Sequence, residues 1–333
     1  MEKKATRPLV SLGVPVYNKG EFLSECLQSI LDQEYQNWEC VIIDNQSTDN
    51  SNEVARHFAE KDKRFILIRN ESFADQTTNW NIAFKKSNQN AKYFKLVLAD
   101  DWLFPNYLTE MVSLMEKDDS IGVSSSYQIN GRRVTGWGLD YYDGEVLDGL
   151  KVLKDQLYRR VEIAGSANTV LMRNETLKKV PTYPDIYHQG SYMIDVELFY
   201  DLLNVSNLGF KHKILSYTRR YEDTYTHQYT TGFQGQLAGN NYQLYKYKHL
   251  DEGLEKVYRH HRMNYAYFYA KALLFNNKDF IKWHNRYLHV PFTRGELTRA
   301  ILLKNPVMQL FSELLIRLRL KKRVQVFQYP SFT

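Results

Sequence analysis

Four apolar runs separated by helical repeats confine the first third of this chain to a parallel sheet. Residues 9–14, 38–43, 65–68 and 94–99 each read as strands. A strand apolar along its whole length is buried on both faces, which is the pattern of parallel α/β sheets. Between the first two runs, Phe22, Leu23, Cys26, Leu27, Ile30 and Leu31 recur at helical spacing. Further helices are predicted over 51–59 and 77–87. Strand–helix alternation with short links implies right-handed crossovers, so successive strands end on one common edge.

Downstream the pattern changes. Residues 121–125 and 169–172 read as additional strands, with Gly131, Gly136, Gly138, Gly144 and Gly149 marking turns. From about Gln234 the chain becomes helical and rich in tyrosine, with Tyr265, Tyr267, Phe268 and Tyr269 in one segment. The expected organisation is an α/β domain over 1–230 and a helical region over 231–333. A length of 333 residues accommodates both.

Charge and cysteine usage exclude several classes. The net charge is +6, but eight basic and two acidic residues between Arg294 and Arg323 account for it, so the rest is near neutral. That is a tail property and argues against a nucleic-acid-binding surface. No apolar run approaches the roughly 18–20 residues of a membrane-spanning helix. The charged start, Met1 to Arg7, has no apolar core behind it and does not read as a signal peptide. Cys26 and Cys40, the only cysteines, read as reduced core thiols of a cytosolic protein.

Chemistry is expected where the strands end, because α/β sheets bind ligands beyond their carboxyl edge. Asp100 and Asp101 follow the fourth strand directly. Two adjacent carboxylates repel, so a cation or a shared proton belongs near them. Mg²⁺ or Mn²⁺ holding phosphates suits such oxygen ligands, and a solvated turn capping the helix after Pro105 is the simpler alternative. The first strand ends in Pro15-Val16-Tyr17-Asn18 and the second in Asp44-Asn45-Gln46-Ser47-Thr48-Asp49. Neither is glycine-rich, so neither wraps a pyrophosphate as a P-loop does. Asp44 reads as an acceptor for a nucleobase or ribose, or as a turn starter.

Taken in order, Pro-Val-Tyr-Asn, Ile-Ile-Asp-Asn-Gln-Ser-Thr-Asp-Asn-Ser and Leu-Ala-Asp-Asp resemble the family 2 glycosyltransferases of the GT-A fold. The resemblance runs from about Pro8 to Tyr221 and includes the first helix, Glu25 to Gln33. It implies an inverting transferase that takes a nucleotide-diphosphate sugar, a UDP-sugar above all, with Mn²⁺ or Mg²⁺. Pro15, Tyr17, Asn18, Asp44 and Asn45 match the nucleoside side, Asn81 a donor-side helix, and Asp100 and Asp101 the metal-binding motif. Asp195 takes the place of the catalytic base, with Glu197 as its fallback. The sequence departs from the family at Trp80 (often Arg), Leu98 (often Asp) and Ile194 (often Glu). Tyr221 follows Tyr217-Thr218-Arg219-Arg220 where relatives often carry His, and His227 is a weak substitute for it.

The expected acceptor is a saccharide or a lipid-linked saccharide in surface polysaccharide assembly. Val307, Leu310, Phe311, Leu314, Leu315 and Leu318 form an apolar stripe before Lys321-Lys322-Arg323. This pattern fits either a peripheral anchor on the inner membrane face or a helix packed within the protein. Two rival readings are a catalytically degenerate sugar-nucleotide binder and a sugar-nucleotide nucleotidyltransferase. The second wants a glycine-rich basic loop after the first strand, which is not there.

Overall fold

The computed structural model describes residues 7–139, 142–163, 166–187, 193–221, 233–288 and 290–304. The chain divides into two compact units, Met1–Gly235 and Gln236–Thr333.

The first unit is built on one mixed sheet flanked by helices. Strands β1 (Val10–Val16), β2 (Trp38–Asp44), β3 (Phe65–Arg69) and β4 (Tyr93–Leu96) pair in parallel in the order β3-β2-β1-β4. All seven residues of β1 are buried, as its continuous apolar pattern requires. Helices α1 (Gly20–Leu31), α2 (Ser51–Lys61) and α3 (Gln76–Lys86) make the connections. Leu23, Cys26, Leu27 and Ile30 of α1 face the sheet, each apolar side chain contributing about 1.5–3 kcal/mol by burial. Both cysteines are buried free thiols.

Beyond β4 the sheet changes direction and then changes back. Strand β9 (Leu171–Arg173) runs antiparallel to both β4 and β6 (Ile121–Asn130). The last long strand, β10 (Asn207–Thr218), is parallel to β6. Two reversals cancel, so β6 and β10 point the same way as β1 to β4. Six strands therefore share one carboxyl edge. Short antiparallel pieces complete the sheet: β5 (Trp102–Leu103) and β8 (Val146–Leu147) on β10, and β7 (Arg133–Thr135) on β6. Four more helices, α4 (Tyr107–Met115), α5 (Gly149–Leu157), α6 (Asn174–Leu177) and α7 (Ile194–Val205), belong to this unit.

Three expectations are adjusted. The fourth strand stops at Leu96, and Asp101 N–H donates to Leu98 O to close a turn where the strand was expected to continue. The strand expected over 169–172 begins at Leu171 and is antiparallel. The long strand β10 was not anticipated, because Lys211, His212 and Lys213 interrupt its apolar alternation.

The second unit contains helices Glu252–Leu274, Lys278–Tyr287 and Arg294–Lys304. Asp251 caps the first by accepting from Leu254 N–H at 2.9 Å. Arg262, nearly buried, pairs with Glu296 at 2.6 Å and donates to the carbonyls of Val290 and Pro291. Tyr265 is fully buried against His284, whose imidazole burial lowers to a pKa of about 4. Among the described residues no helix is long and apolar enough to cross a membrane. The amphipathic stripe from Val307, its basic run and His227 all lie outside the described residues.

Candidate active site

The loops after β1 and β2 are cross-linked to each other. Asn18, in the left-handed region at φ 49°, accepts from Thr48 N–H at 2.8 Å, and its own N–H donates to Ser47 Oγ. Asp49 accepts from Gly20 N–H and Ser51 N–H, the starts of α1 and α2. Burial opposes its charge, but these hydrogen bonds hold its carboxyl below the usual range. Gly20 leaves room for a neighbouring side chain: a Cβ there would lie 1.7 Å from Asn50 Oδ1, so Asn50 would have to move.

Asp44 ends β2 and is almost fully buried. Its Oδ1 accepts from Ser47 N–H at 3.0 Å, while Oδ2 accepts from Asn52 at 2.8 Å and pairs with Arg69 at 3.5 Å. Asn45 is equally committed. Its Oδ1 accepts from Ala74 N–H and Asn70 Nδ2, and its Nδ2 donates to Ala74 O. It thereby holds the loop that carries Phe73. Tyr17 and Phe73 meet edge-to-face at 4.8 Å, and both rings are exposed, at 44% and 59%. Pro15 is buried inside β1 opposite Ile43.

Asn81, on α3, makes two hydrogen bonds of 2.9 Å with the backbone of Tyr187, one donated and one accepted. Trp80 packs edge-on against the same tyrosine. These two side chains fix the chain at Tyr187.

The fourth strand end gathers the most charge. Asp100 Oδ2 pairs with Lys19 Nζ at 3.1 Å and accepts from Tyr221 OH at 2.6 Å, and Lys19 also meets the Tyr221 hydroxyl. Asp101 is 2% exposed. Its Oδ1 accepts from Arg219 N–H at 2.8 Å and its Oδ2 from Thr218 Oγ1 at 3.1 Å. Burial and then neighbouring Asp100 push the Asp101 carboxyl up to about 7. Register shifts along β10, between Lys211 and Ser216, accompany the approach of its end to this turn. Arg219 spans the site, donating to Asp100 O and Glu25 and covering the rings of Phe22 and Trp102.

A divalent cation needs open oxygen positions. Asp100 Oδ1 has no hydrogen-bond partner among the described residues, and this side chain is 19% exposed. It fits a cation shared with a substrate's phosphates. Asp101, with both oxygens engaged inside the protein, fits the role of fixing β10 to the turn. No cluster of three or more His, Cys, Asp or Glu side chains with metal-binding geometry is found among the described residues.

Asp195 lies in the first turn of α7 and is partly buried. Val196 N–H donates to its Oδ1 at 2.9 Å, and the N–H of Ala167 also faces its carboxylate. Burial outweighs both and raises its pKa. Glu197 is fully buried on the inner side of α7. Lys19, Tyr221, Arg219 and Phe73 were not marked as site residues by sequence reasoning. Tyr221 carried a signal, its place after the Tyr-Thr-Arg-Arg run, but the others join the site only through long-range contacts.

With this geometry in view, residues 11–180 match the model of Glycosyl transferase family 2. GlyG, a glycosyltransferase of Streptococcus pneumoniae serotype 4, is 34% identical over 121 residues, 36% of this chain. The match spans 39% of GlyG's own length. An uncharacterized glycosyltransferase of Rickettsia typhi is 23% identical over 232 residues, 67% of each protein. Among solved structures, S. aureus TarS in complex with UDP-GlcNAc superposes with a TM-score of 0.58 at 15% identity, covering 91% of this chain and 77% of TarS. The mannosyltransferase PcManGT from Pyrobaculum calidifontis, in complex with GDP-Man and Mn²⁺, gives 0.55 at 15% identity, covering 95% and 86%. These two likenesses establish the GT-A fold.

Proposed function

The chain belongs to glycosyl transferase family 2, and from that premise we propose an inverting transfer of sugar from a nucleotide-diphosphate donor to an acceptor hydroxyl. The observation that carries the reading is the common carboxyl edge, where β1, β2, β4 and β10 deliver Tyr17, Asp44, Asp100 and Tyr221. A UDP-sugar is the proposed donor, in keeping with the UDP-GlcNAc seen in TarS. The proposed acceptor is a saccharide or glycolipid in surface polysaccharide assembly.

Tyr17, beside Phe73, offers an aromatic face to the nucleobase. Pro15, Asn18, Asp44 and Asn45 shape the nucleoside side by holding the loops, and Asn81 fixes the opposite wall. Asp100, with an oxygen open at the edge, would hold Mn²⁺ or Mg²⁺ for the donor's diphosphate, and Asp101 secures the turn beneath it. A cation held there would supply charge neutralisation for the leaving diphosphate. Lys19 and Arg219 add positive charge to the same corner. Asp195 takes the proton of the acceptor hydroxyl as that oxygen attacks C1 from the side opposite the diphosphate. Its raised pKa brings its proton affinity nearer that task.

A panel of UDP- and GDP-sugars, with and without Mn²⁺, tests the reading by product analysis. A product of inverted anomeric configuration is expected with a UDP-sugar and metal. Absence of both binding and transfer across the panel would remove the donor assignment. The proposed location is the cytoplasm, with peripheral contact at the inner membrane face through residues 305–333. Deleting those residues is expected to release the protein from anionic liposomes.

A further inference from the structure

Lys95 is a buried cation that the proposed chemistry does not use. It occupies β4 opposite Leu12 of β1 and is completely buried. Lysine is almost never fully buried unless its ammonium is satisfied. Here Nζ donates to Ala167 O at 2.9 Å and Asn168 O at 2.8 Å, and it lies 4.9 Å from the centre of the Tyr107 ring. Tyr107 OH donates to Thr169 O at 3.1 Å. Thus one lysine and one tyrosine bind three successive carbonyls of the turn 166–169.

The same turn has two outward attachments. Ala167 N–H faces the Asp195 carboxylate. Asn168 Nδ2 donates to Tyr217 O at 3.1 Å, immediately before the Thr218 and Arg219 groups that hold Asp101. An apolar residue would complete β4 equally well as a strand, so the sheet itself does not explain a lysine.

We infer that Lys95 is a positioning residue for the transfer reaction, fixing turn 166–169 so that Ala167 orients Asp195 and Asn168 ties it to the Asp100–Asp101 end. The inference rests on the reading of Asp195 as the base. The titratable groups facing Lys95 are Tyr107, 4.9 Å away, and, through charge, Asp101 and Cys26. Around Asp195 the corresponding groups are Tyr187 and the N–H groups of Val196 and Ala167.

The test is steady-state kinetics of Lys95→Met across pH. The expected result is a fall in kcat of about tenfold or more at unchanged donor KM, since small misplacements of reacting groups are costly. The acid limb of the kcat profile is also expected to move to higher pH. Losing an N–H that favours the carboxylate form raises the pKa of Asp195, which must be deprotonated to act. A folded variant with wild-type kcat and an unmoved profile overturns the inference. Should Lys95→Met fail to fold, Tyr107→Phe decides: it removes only the hydroxyl on Thr169 O. A fall of about threefold in kcat with the same direction of pH shift is expected, and no change in either overturns the inference. Asp195→Asn is measured alongside. Full activity there removes the base assignment itself, whereas an inactive Asp195→Asn beside an unaffected Lys95→Met removes only the role of Lys95.

Discussion

Asp44 and Asp100 both stand at the carboxyl ends of parallel strands, yet the fold uses them differently. Both oxygens of Asp44 are engaged, by Ser47 of its own loop, by Asn52 of α2 and by Arg69. Among the described residues, Asp100 accepts at one oxygen only and has the other open at the edge. A carboxylate with its capacity filled from within stabilises the structure, and one left half-satisfied at the same edge is suited to a ligand. Similar placement in a strand-end motif therefore does not imply a similar role.

Four measurements break or sharpen this contrast. The largest effect is expected from Asp100→Ala, which should lower kcat/KM by about 10²–10³, on the order of 3–4 kcal/mol, with little change in melting temperature. Retained transfer would show that the open oxygen is not used. Asp44→Ala should act chiefly on folding, costing about 2–3 kcal/mol in denaturant unfolding because Ser47, Asn52 and Arg69 lose their acceptor. If stability held and only donor binding fell, the two residues would be alike after all.

Asp101 tests a third state, a carboxylate buried beneath the edge. Its folded pKa of about 7 lies above the unfolded value near 4, so the native state binds its proton more tightly. Stability from this group is then greatest at acid pH and declines as pH rises from about 4 to 7. Asp101→Asn, measured with metal chelated, should gain roughly 2 kcal/mol relative to wild type at pH 8 and little at pH 4. Equal differences at both pH values would place the charged form without penalty. The smallest effect is expected from Lys19→Gln. Its pair with Asp100 is partly solvated, so unfolding free energy should change by less than about 1 kcal/mol. A larger loss would make Lys19 a folding element, not part of the donor corner.

The first half of the sheet was legible in the sequence because each step is local. Apolar runs set β1 to β4, helical spacing set α1 to α3, and parallel winding placed their ends together. The second half depends on pairing across long separations. β10 carries Lys211 and Lys213, which reach Glu110 and Glu145, so its polar centre hides the strand. Lys95 was invisible for the opposite reason, embedded in an apolar run that reads as strand regardless. Motif matching found Asn45 and Asn81 but not their hydrogen-bond partners, Ala74 and Tyr187, which lie 29 and 106 residues away. Residue type and position along a strand were readable. Which oxygen or nitrogen remained open was not.

One carboxylate, Asp49, meets the amino ends of both α1 and α2. Each helix start presents a partial positive pole that, in other nucleotide-binding sheets, attracts a phosphate. Here an internal anion already occupies both poles. A donor diphosphate, bound as proposed, would meet repulsion there and be directed toward the positive corner of Lys19 and Arg219. On the proposed reading Asp49 would work as electrostatic exclusion: by filling the anion seat at two helix ends, it would determine where along the edge a donor's phosphate settles.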